Sequence, residues 1–465
     1  MNSSLDRRRF LTLLSAPVVL GVLHSCGSDT STTASTTSST TDESEFPVTS
    51  DADTGANGVA RSSKPRETVC TCDASVASDA INAFGTDLYG LLARSTDPAT
   101  NLVFSPASIA IALAMTRAGA AGATATEMDA VLHVGDPALF PSSMNALQLG
   151  FDERNQSIDM PGSDEPAEIV LSVTNSLWGQ QGFGFENTFL DLLAVNYGAG
   201  VQLVDYRNDA DGARKAINRW VADETEDRIP ALLAPGTITP DARLTLVNAI
   251  LMKAPWQKPF DEYFTTDGPF TTAAGSVVQT AMMRQTERFD YADGVTWRAL
   301  ELPYAGELLS MIIVLPNEGA PLSDAVAAVS TLANPAHSSK VAVKLPTFDI
   351  DTQVGFGDTL AALGMPTAFD PDQADFSAMA VLDPTDPEPL FIGAVVHQAN
   401  IMVDEDGTEA AAATAIVMVA GAAPGPSDEP IEFTVDRPFV FAIRDNPTGT
   451  ILFLGHIADP TQRRS

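Results

Sequence analysis

The segment that most constrains the fold lies near the C-terminus and reads DEDGTEAAAATAIVMVAGAAPGPSDEP, residues 404–430. Its four consecutive alanines have high helix propensity. However, the run has no amphipathic face and passes directly into the β-prone AIVMV. The Gly- and Pro-rich stretch that follows fits neither a helix nor a central strand. The segment therefore fits neither an ordinary helix nor an ordinary strand.

Composition limits the classes of function. The 465 residues are 45% hydrophobic, which allows a large core, and length alone favours two domains. The formal net charge of -34 argues against binding of nucleic acid or heparin-like polyanions, since an acidic surface repels phosphate and sulfate. No basic cluster follows the N-terminal region in the sequence. A saline habitat would also account for this acidity.

The N-terminus predicts export and anchoring. Arg7-Arg8-Arg9 precede a short apolar run, which is typical of a signal peptide over residues 1–25 and is too short to span a membrane. Arg7-Arg8 followed by Phe10-Leu11 resembles a twin-arginine export motif. Leu23-His24-Ser25-Cys26 resembles a lipobox, which predicts cleavage before Cys26 and lipidation of its thiol. The alternative, an ordinary secretory signal, also exports the protein to the periplasm or the extracellular space.

Residues 26–73 are Ser/Thr-rich and almost free of large apolar side chains, so we expect a disordered tether. Cys70 and Cys72 are free to oxidise outside the cytosol. A bridge across one residue would be strained, and a metal site needs more ligands than this pair. The two thiols are therefore interpreted as a local or intermolecular redox feature.

Residues 74–465 alternate helical periodicity with short β-rich runs without a linker or repeat, which predicts one α+β domain. Strand-like runs include EIVLSVTNSLWGQ, RLTLVNAILMKAPW and VAVKLPTFDI, and INRWVADETEDRIPALL predicts an amphipathic helix. No G-x-S-x-G, H-E-x-x-H or phosphate-cradling glycine loop occurs. We therefore expect no catalytic residue, metal or cofactor, and interpret His397 as a core histidine.

From about Ala74 to Pro460 the chain resembles the serpin family. The motifs that carry the resemblance appear in family order: NLVFSPASIAIALAMTRAGAAGATATEM, LVNAILMKAPWQKPFD, LELPYAGELLSMIIVLP, VKLPTFDI with LGMPTAFDPDQADFSAM, VVHQANIMVDEDGTEAAAATA, and DRPFVFAIRDNPTGTILFLGHIADP. The resemblance implies three β-sheets surrounded by about nine helices, with an exposed reactive-centre loop. It also implies a monomer that acts as a protease inhibitor and not as an enzyme.

The resemblance makes the opening segment the bait loop, whose first half can become a strand. On insertion, Thr408, Ala410, Ala412 and Thr414 would face the helices, and Glu409, Ala411 and Ala413 would face outward. Gly407 would supply freedom at the pivot. No proline or charge stands at an inward hinge position, which favours an inhibitor that traps its protease as an acyl-enzyme over a non-inhibitory carrier. A lipoprotein hydrolase has no support in the sequence.

The resemblance also assigns residues to the two regions of the family's central sheet that control loop insertion. Ser105, Ser108, Asn248 and His397 match the shutter, and Trp256 matches the breach, where insertion starts. The sequence departs from the family at Ala254, where glycine is usual, and at Gln398, where lysine is common. The same side chains would also serve simply to fill the core and satisfy its hydrogen bonds.

The scissile bond is less well defined, because counting from either end of the loop gives different positions. The spacing usual in the family implies that it lies within Met418, Val419, Ala420, Gly421, Ala422 and Ala423. No Lys or Arg occurs between Gly407 and Phe433, so the expected target is an elastase-, subtilisin- or chymotrypsin-like protease, or a papain-like one, and not a trypsin-like one.

Overall fold

A computed structural model describes residues 53–54, 58–70, 72–160, 166–329, 337–381, 390–408 and 429–464. These residues fall within one unit, Ser50–Ser465. The described part contains eight α-helices and two short 3-10 helices. They are α1 (Ser75–Ser95), α2 (Pro106–Arg117), α3 (Gly122–Val131), α4 (Phe140–Asp152), α5 (Asn187–Tyr197), α6 (Tyr206–Glu224), α7 (Leu322–Val329) and α8 (Gly357–Leu363), with 3-10 turns at Glu262–Phe264 and Pro366–Phe369.

The strands, numbered in chain order, are β1 (Asp53–Thr54), β2 (Val59–Arg61), β3 (Leu102–Phe104), β4 (Gln156–Ile158), β5 (Ala167–Gln180), β6 (Gly184–Phe185), β7 (Val201–Val204), β8 (Leu244–Pro255), β9 (Thr266–Thr271), β10 (Val277–Asp293), β11 (Trp297–Pro303), β12 (Leu309–Pro316), β13 (His337–Pro346), β14 (Phe348–Gly355), β15 (Ala380–Val381), β16 (Ile392–Val403), β17 (Gly407–Thr408), β18 (Ile431–Thr434), β19 (Phe439–Asp445) and β20 (Thr450–Ile457).

Two large sheets and one small sheet organise these strands. The first, which we call the main sheet, has the order β1-β2-β7-β5-β8-β17-β16-β14, with β4 attached to β5. The second has the order β18-β13-β10-β11-β12-β19-β20-β3, with β9 on β10, and the small sheet pairs β15 with β6. The predicted α+β class is therefore correct.

Helix α2 lies at the centre of the core. Ser105 caps its N-terminus by accepting a hydrogen bond from Ser108 N, and Pro106 occupies the first helical position, where its missing N–H costs nothing. Every residue from Pro106 to Thr116 is buried, and the helix contacts β5 and β8 of the main sheet and β20 of the second. A helix that is apolar on all sides requires such a position. It therefore holds the main sheet against the rest of the core.

The folded unit begins earlier than the sequence analysis placed it. Val59–Arg61 pairs with β7 at the edge of the main sheet, Lys64 forms a 2.8 Å ion pair with Asp191, and Glu67 N donates to Val195 O at 2.9 Å. The predicted tether over 26–73 is therefore wrong for residues 58–70, because polar and backbone contacts hold this segment where apolar side chains are scarce.

A disulfide joins Cys70 to Cys72, which is the local pairing of the two that the sequence allowed. The helices that the structure describes include none with the length and apolar character needed to cross a membrane. Residues 1–52, which contain the predicted signal peptide, Cys26 and most of the tether, lie outside the described residues.

Candidate functional site

The candidate site is the line along which β8 and β16 meet at the centre of the main sheet. The two strands pair in parallel from Leu244–Ala249 to Ile392–Gln398. Towards their other ends, β17 lies between them: Thr408 pairs with both Ala254 and Val403. The sheet is thus closed at one end and already holds the first two loop residues at the other. A strand-insertion mechanism would require this seam to open along its length.

Trp256 closes the end of the seam that holds β17. It is 1% exposed and stacks on Tyr304, with ring centroids 4.6 Å apart and planes at 8°. Its Nε1 donates to Asp404 O at 2.9 Å, and its backbone N donates to Asp406 O at 2.8 Å. The tryptophan therefore fixes the chain on the N-terminal side of the loop through two separate hydrogen bonds.

Gly407 lies against the backbone of β8. A Cβ built on it would come within 2.2 Å of Ala254 O and 2.7 Å of Pro255 Cα, which no side chain can accommodate without displacing the backbone. The sequence analysis assigned Gly407 the role of a flexible pivot, whereas the structure shows a steric requirement for the absence of a Cβ. Glycine here permits the close approach of two strands.

Thr408 is 2% exposed, and its Oγ1 lies 2.5 Å from the hydroxyl of Tyr304. Burial raises the pKa of Tyr304, so its hydroxyl stays protonated and able to donate. Thr408, which the sequence analysis predicted as the first inward residue of the loop, is therefore packed beside Tyr304 in the folded protein. The sequence analysis did not identify Tyr304, because it lies 104 residues before Thr408 in the chain and only the tertiary structure brings the two together.

The turn that leads into the loop is acidic. Asp404 Oδ1 accepts hydrogen bonds from the backbone N of Asp406 and Gly407, both at 3.1 Å. Burial raises the pKa of Asp404, and burial together with Glu262 and Glu405 raises the pKa of Asp406. Burial, and after it the negative charge of neighbouring carboxylates, therefore opposes ionisation of both carboxyls, while the hydrogen bonds fix the turn.

His397 occupies the closed end of the seam. It is 1% exposed, its Nε2 accepts a hydrogen bond from Ser105 N at 3.0 Å, and its Nδ1 bonds to Asn248 Oδ1. Because a backbone N–H can only donate, Nε2 carries no proton and Nδ1–H is the donor. Burial lowers the pKa of His397 to about 3, which is consistent with this neutral tautomer. The ring thus ties β16 to β8 and to the start of α2.

A polar chain continues from the histidine into the next strand. Ser108 Oγ donates to Asn175 Oδ1 at 3.4 Å, and Asn175 on β5 lies opposite Asn248 on β8. The structure therefore brings together Ser105, Ser108, Asn248 and His397, and it adds Asn175, which the sequence analysis did not identify. The asparagine lies in the run LSVTNSLW, where only the strand register reveals that it meets the seam.

Two departures from the family pattern have a physical account in the structure. Ala254 carbonyl oxygen faces Gly407, and its buried methyl group fits beside the seam. Gln398 Nε2 donates to Asn400 Oδ1 at 3.2 Å, so the position is occupied by a satisfied amide. The remaining hinge residues Glu409, Ala410, Ala411, Ala412, Ala413 and Thr414, and the scissile region Met418, Val419, Ala420, Gly421, Ala422 and Ala423, lie outside the described residues.

One surface feature also differs from the sequence analysis, which found no basic cluster. Antiparallel pairing of β10 with β13 places Arg284 opposite Lys344 and Arg288 opposite Lys340, all on one face of the sheet. Pairs of like charge directly opposite each other are unfavourable within a sheet. The sequence does not show this cluster, because its residues come from two strands that are distant along the chain. It lies beside β18, the strand that follows the loop.

Comparisons with known proteins agree with this geometry. The model of the family Serpin (serine protease inhibitor) matches residues 79–460. Leukocyte elastase inhibitor A from Rattus norvegicus is 35% identical over 397 residues, covering 82% of this chain and 99% of that protein. An uncharacterized serpin-like protein from Thermococcus kodakarensis is 36% identical over 386 residues, covering 82% of this chain and 85% of that protein.

Solved structures show the same fold. The thermophilic serpin Tengpin in its native state has a TM-score of 0.72 and 25% identity, covering 85% of this chain and 97% of that chain. Serpin48 from the insect Tenebrio molitor has a TM-score of 0.68 and 28% identity, covering 82% of this chain and 97% of that chain. The chain therefore belongs to the serpin family, a family of serine protease inhibitors and not of enzymes.

Proposed function

We propose that this protein inhibits a serine protease by suicide-substrate trapping, in which the protease attacks the loop and the cleaved loop inserts between β8 and β16. The observation that carries the proposal is the position of Gly407–Thr408, which pair with β8 on one side while Thr408 also pairs with β16 on the other. The protease supplies the nucleophile, and the inhibitor contributes only a sheet that can accept another strand. Loop insertion of this kind is established for serpins.

The seam between β8 and β16 suits such an insertion. Their mutual pairing runs only over Leu244–Ala249 and Ile392–Gln398, so one short ladder has to part. A new central strand regains those bonds on both sides, and each backbone hydrogen bond contributes a net ~1 kcal/mol. The residues available to enter, GTEAAAATA, are small at every inward position. Insertion is therefore opposed mainly by the polar contacts of His397 and Asn248.

The target we propose is an elastase-, subtilisin- or chymotrypsin-like protease. The loop contains no Lys or Arg between Gly407 and Phe433, so it offers no cation to the pocket carboxylate of a trypsin-like enzyme. The similarity to proteins named leukocyte elastase inhibitor supports the same class. The protein would act as a monomer, with the acyl-enzyme as its covalent complex.

Denaturing gel electrophoresis tests the mechanism. The purified protein is incubated with elastase, subtilisin, chymotrypsin or trypsin, and the released peptide is identified by mass spectrometry. We expect a boiling-resistant band at the summed mass with at least one of the first three enzymes and none with trypsin. The peptide identifies the scissile bond within Met418–Ala423. Cleavage by all four enzymes without such a band would contradict trapping.

The alternative function is a non-inhibitory serpin that binds or carries a ligand at the cell surface. Thr408→Arg separates the two, because a guanidinium cannot replace a side chain that is 2% exposed between strands. The variant should lose the covalent band and become a substrate, whereas Thr408→Ser, which keeps the hydroxyl, should retain it. A carrier would form no covalent band with the wild type or with either variant.

We also propose that the protein is an exported lipoprotein anchored through Cys26. The support is the sequence of residues 1–26, with its twin arginines and lipobox. Cell fractionation of the wild type and of Cys26→Ala tests it: the wild type should partition with membranes and the variant should appear in the soluble exported fraction. Equal membrane association of both proteins would argue against a lipid at Cys26.

A further inference from the structure

The Cys70–Cys72 disulfide lies in the segment that connects β2 to α1 and is accessible from solvent. Both cysteines are partly exposed, and the residues that flank the pair, Val69 and Asp73, are exposed. The pair precedes residue 79, where the match to the family model begins, and it belongs neither to the loop nor to the seam. A thiol in solution can therefore reach this bridge.

The bridge contributes little to the stability of the fold. It joins two residues whose sequence separation is 2, and a disulfide restricts the unfolded chain less when the loop that it closes is shorter. The coupling between folding and disulfide formation is reciprocal, so a bridge that stabilises the fold only slightly is itself stabilised only slightly by folding. Structural disulfides resist reduction by glutathione, whereas strained or exposed ones are labile. By its short loop and its exposure, this bridge belongs to the labile kind.

The sulfur of Cys70 has polar partners that suit a reduced cysteine. The backbone N of Cys72 donates to Cys70 Sγ at 3.3 Å, and such a donor stabilises the negative charge of a thiolate. Ser142 O lies 3.8 Å from the same sulfur and is placed to accept the S–H of the protonated thiol. When the disulfide opens, Cys70 therefore has a hydrogen-bond partner in either protonation state.

The sulfur of Cys72 has different surroundings. Among the hydrogen bonds of the part of the chain that the structure describes, none reaches Cys72 Sγ. The next residue is Asp73, whose carboxylate accepts a hydrogen bond from Ser75 N at 2.9 Å. Hydrogen bonds from Ser75 lower the pKa of Asp73, so this carboxylate stays ionised and disfavours a second negative charge on Cys72. Of the two sulfurs, Cys70 is therefore the better leaving group.

We propose that Cys70–Cys72 is a site of thiol–disulfide exchange that oxidises low-molecular-weight thiols. The thiolate of the incoming thiol attacks Cys72 Sγ, the S–S bond breaks, and Cys70 leaves as a thiolate that takes up a proton from solvent. A second thiolate then attacks the sulfur of the bound thiol and releases Cys72, which also takes up a proton. Two thiols thus become one small disulfide, and the bridge becomes a dithiol. The reaction uses no residue of the loop or the seam.

Incubation of the purified protein with glutathione tests the proposal. After an acid quench, free thiols are alkylated and the peptide that contains both cysteines is identified by mass spectrometry, which separates it from Cys26. We expect at least half of the bridges to open in millimolar reduced glutathione at about a hundredfold excess over oxidised glutathione. Cys72→Ser, which has no bridge, should oxidise no glutathione. A bridge that stays closed in glutathione and opens only in dithiothreitol would overturn the proposal.

The position of the first glutathione adduct tests the direction of attack. In samples quenched early, fragmentation of the peptide should place the adduct on Cys72 about tenfold more often than on Cys70, since hydrogen bonds to charged groups are among the stronger ones. Asp73→Asn removes the negative charge beside Cys72 and should lower this ratio. Asp79→Asn is the matched control, because Asp79 is an exposed acid further along α1. Equal adducts on both cysteines of the wild type would contradict the role of Cys70 as leaving group.

Discussion

Gly407 is a residue whose substitution has a defined steric consequence. In Gly407→Ala the new methyl group would lie 2.2 Å from Ala254 O, so β17 has to leave its place beside β8. We expect a loss of about 1–3 kcal/mol in the free energy of unfolding, as for other overpacked sites, measured by urea denaturation. Gly355→Ala is the control, because a Cβ there meets nothing within 4 Å. Equal stability of the two variants would disprove the steric role of Gly407.

The contact between Tyr304 and Thr408 is also a residue-scale feature, and a double-mutant cycle measures it. Tyr304→Phe leaves Thr408 Oγ1 buried without its partner, and Thr408→Val leaves the tyrosine hydroxyl unpaired, so each should cost about 1–3 kcal/mol in unfolding free energy. The double variant removes both polar groups and should cost less than the sum of the single variants. Additive losses would mean that the two hydroxyls do not stabilise each other.

At the scale of elements, the hydrogen bonds of His397 connect β16 with β8 and with the start of α2. Protonation of His397 should therefore weaken the closed seam. Its pKa is about 3 in the folded protein and near 6.5 in the unfolded chain. The unfolded chain therefore binds more protons between these values, so the stabilisation is complete above pH 6.5 and is lost as the pH falls. We expect about 1.4 kcal/mol less stability per pH unit below 6.5 from this one group.

The measurement compares wild type with His397→Gln in denaturant titrations at several pH values between 4.5 and 7.5, a range chosen to be roughly centred on the titration of a free histidine. His456, whose pKa burial lowers to about 4, contributes to both proteins and cancels from the difference. The wild type should lose stability more steeply than the variant as the pH falls. Parallel pH profiles would rule out a coupling between His397 protonation and the seam.

The elements also show how far the sequence predicted the fold. The β-branched run EIVLSVTNSLWGQ forms one strand, β5, as expected from its composition. VAVKLPTFDI was predicted as one strand but is divided between two sheets, because Pro346 ends β13 and Thr347 N bonds to Ala281 O before β14 begins. INRWVADETEDRIPALL ends as a helix at Glu224, since Glu226 and Asp227 adopt positive φ. Local sequence patterns thus predicted whether a segment is a helix or a strand, whereas tertiary contacts and backbone conformation determine where each element ends.

The residues of the candidate site also fall into two groups, those that the sequence predicted and those that it did not. Ser105, Asn248 and His397 could be predicted because the surrounding motifs resemble those of a family. Asn175 and Tyr304 could not, because only the pairing of β5 with β8 and the stacking on Trp256 bring them to the seam. The segment 58–70 was missed for a different reason: its contacts are ion pairs and backbone hydrogen bonds, which leave no hydrophobic pattern in the sequence.

At the scale of the whole molecule, the proposed mechanism requires that the native fold is not the most stable state that this chain can reach once its loop is cut. Among the described residues of the loop, Gly407–Thr408 occupy the seam, and β8 and β16 pair directly over a short stretch. Insertion of the remaining hinge residues would add a full ladder on each side. With a net ~1 kcal/mol per hydrogen bond, the gain is on the order of 10 kcal/mol.

Cleavage within the loop should therefore stabilise the protein instead of weakening it. We expect the melting temperature to rise by more than about 10 °C after limited proteolysis between Met418 and Ala423. The hydrogen bonds of the inserted strand should add more to the free energy of unfolding than cutting the loop removes from it. Scanning calorimetry of intact and cleaved protein makes the comparison. Thr408→Arg, cut at the same bond, should show no rise, since its side chain blocks the seam. If the cleaved wild type melts at the temperature of the intact protein, the loop has not entered the sheet, and trapping by insertion is excluded.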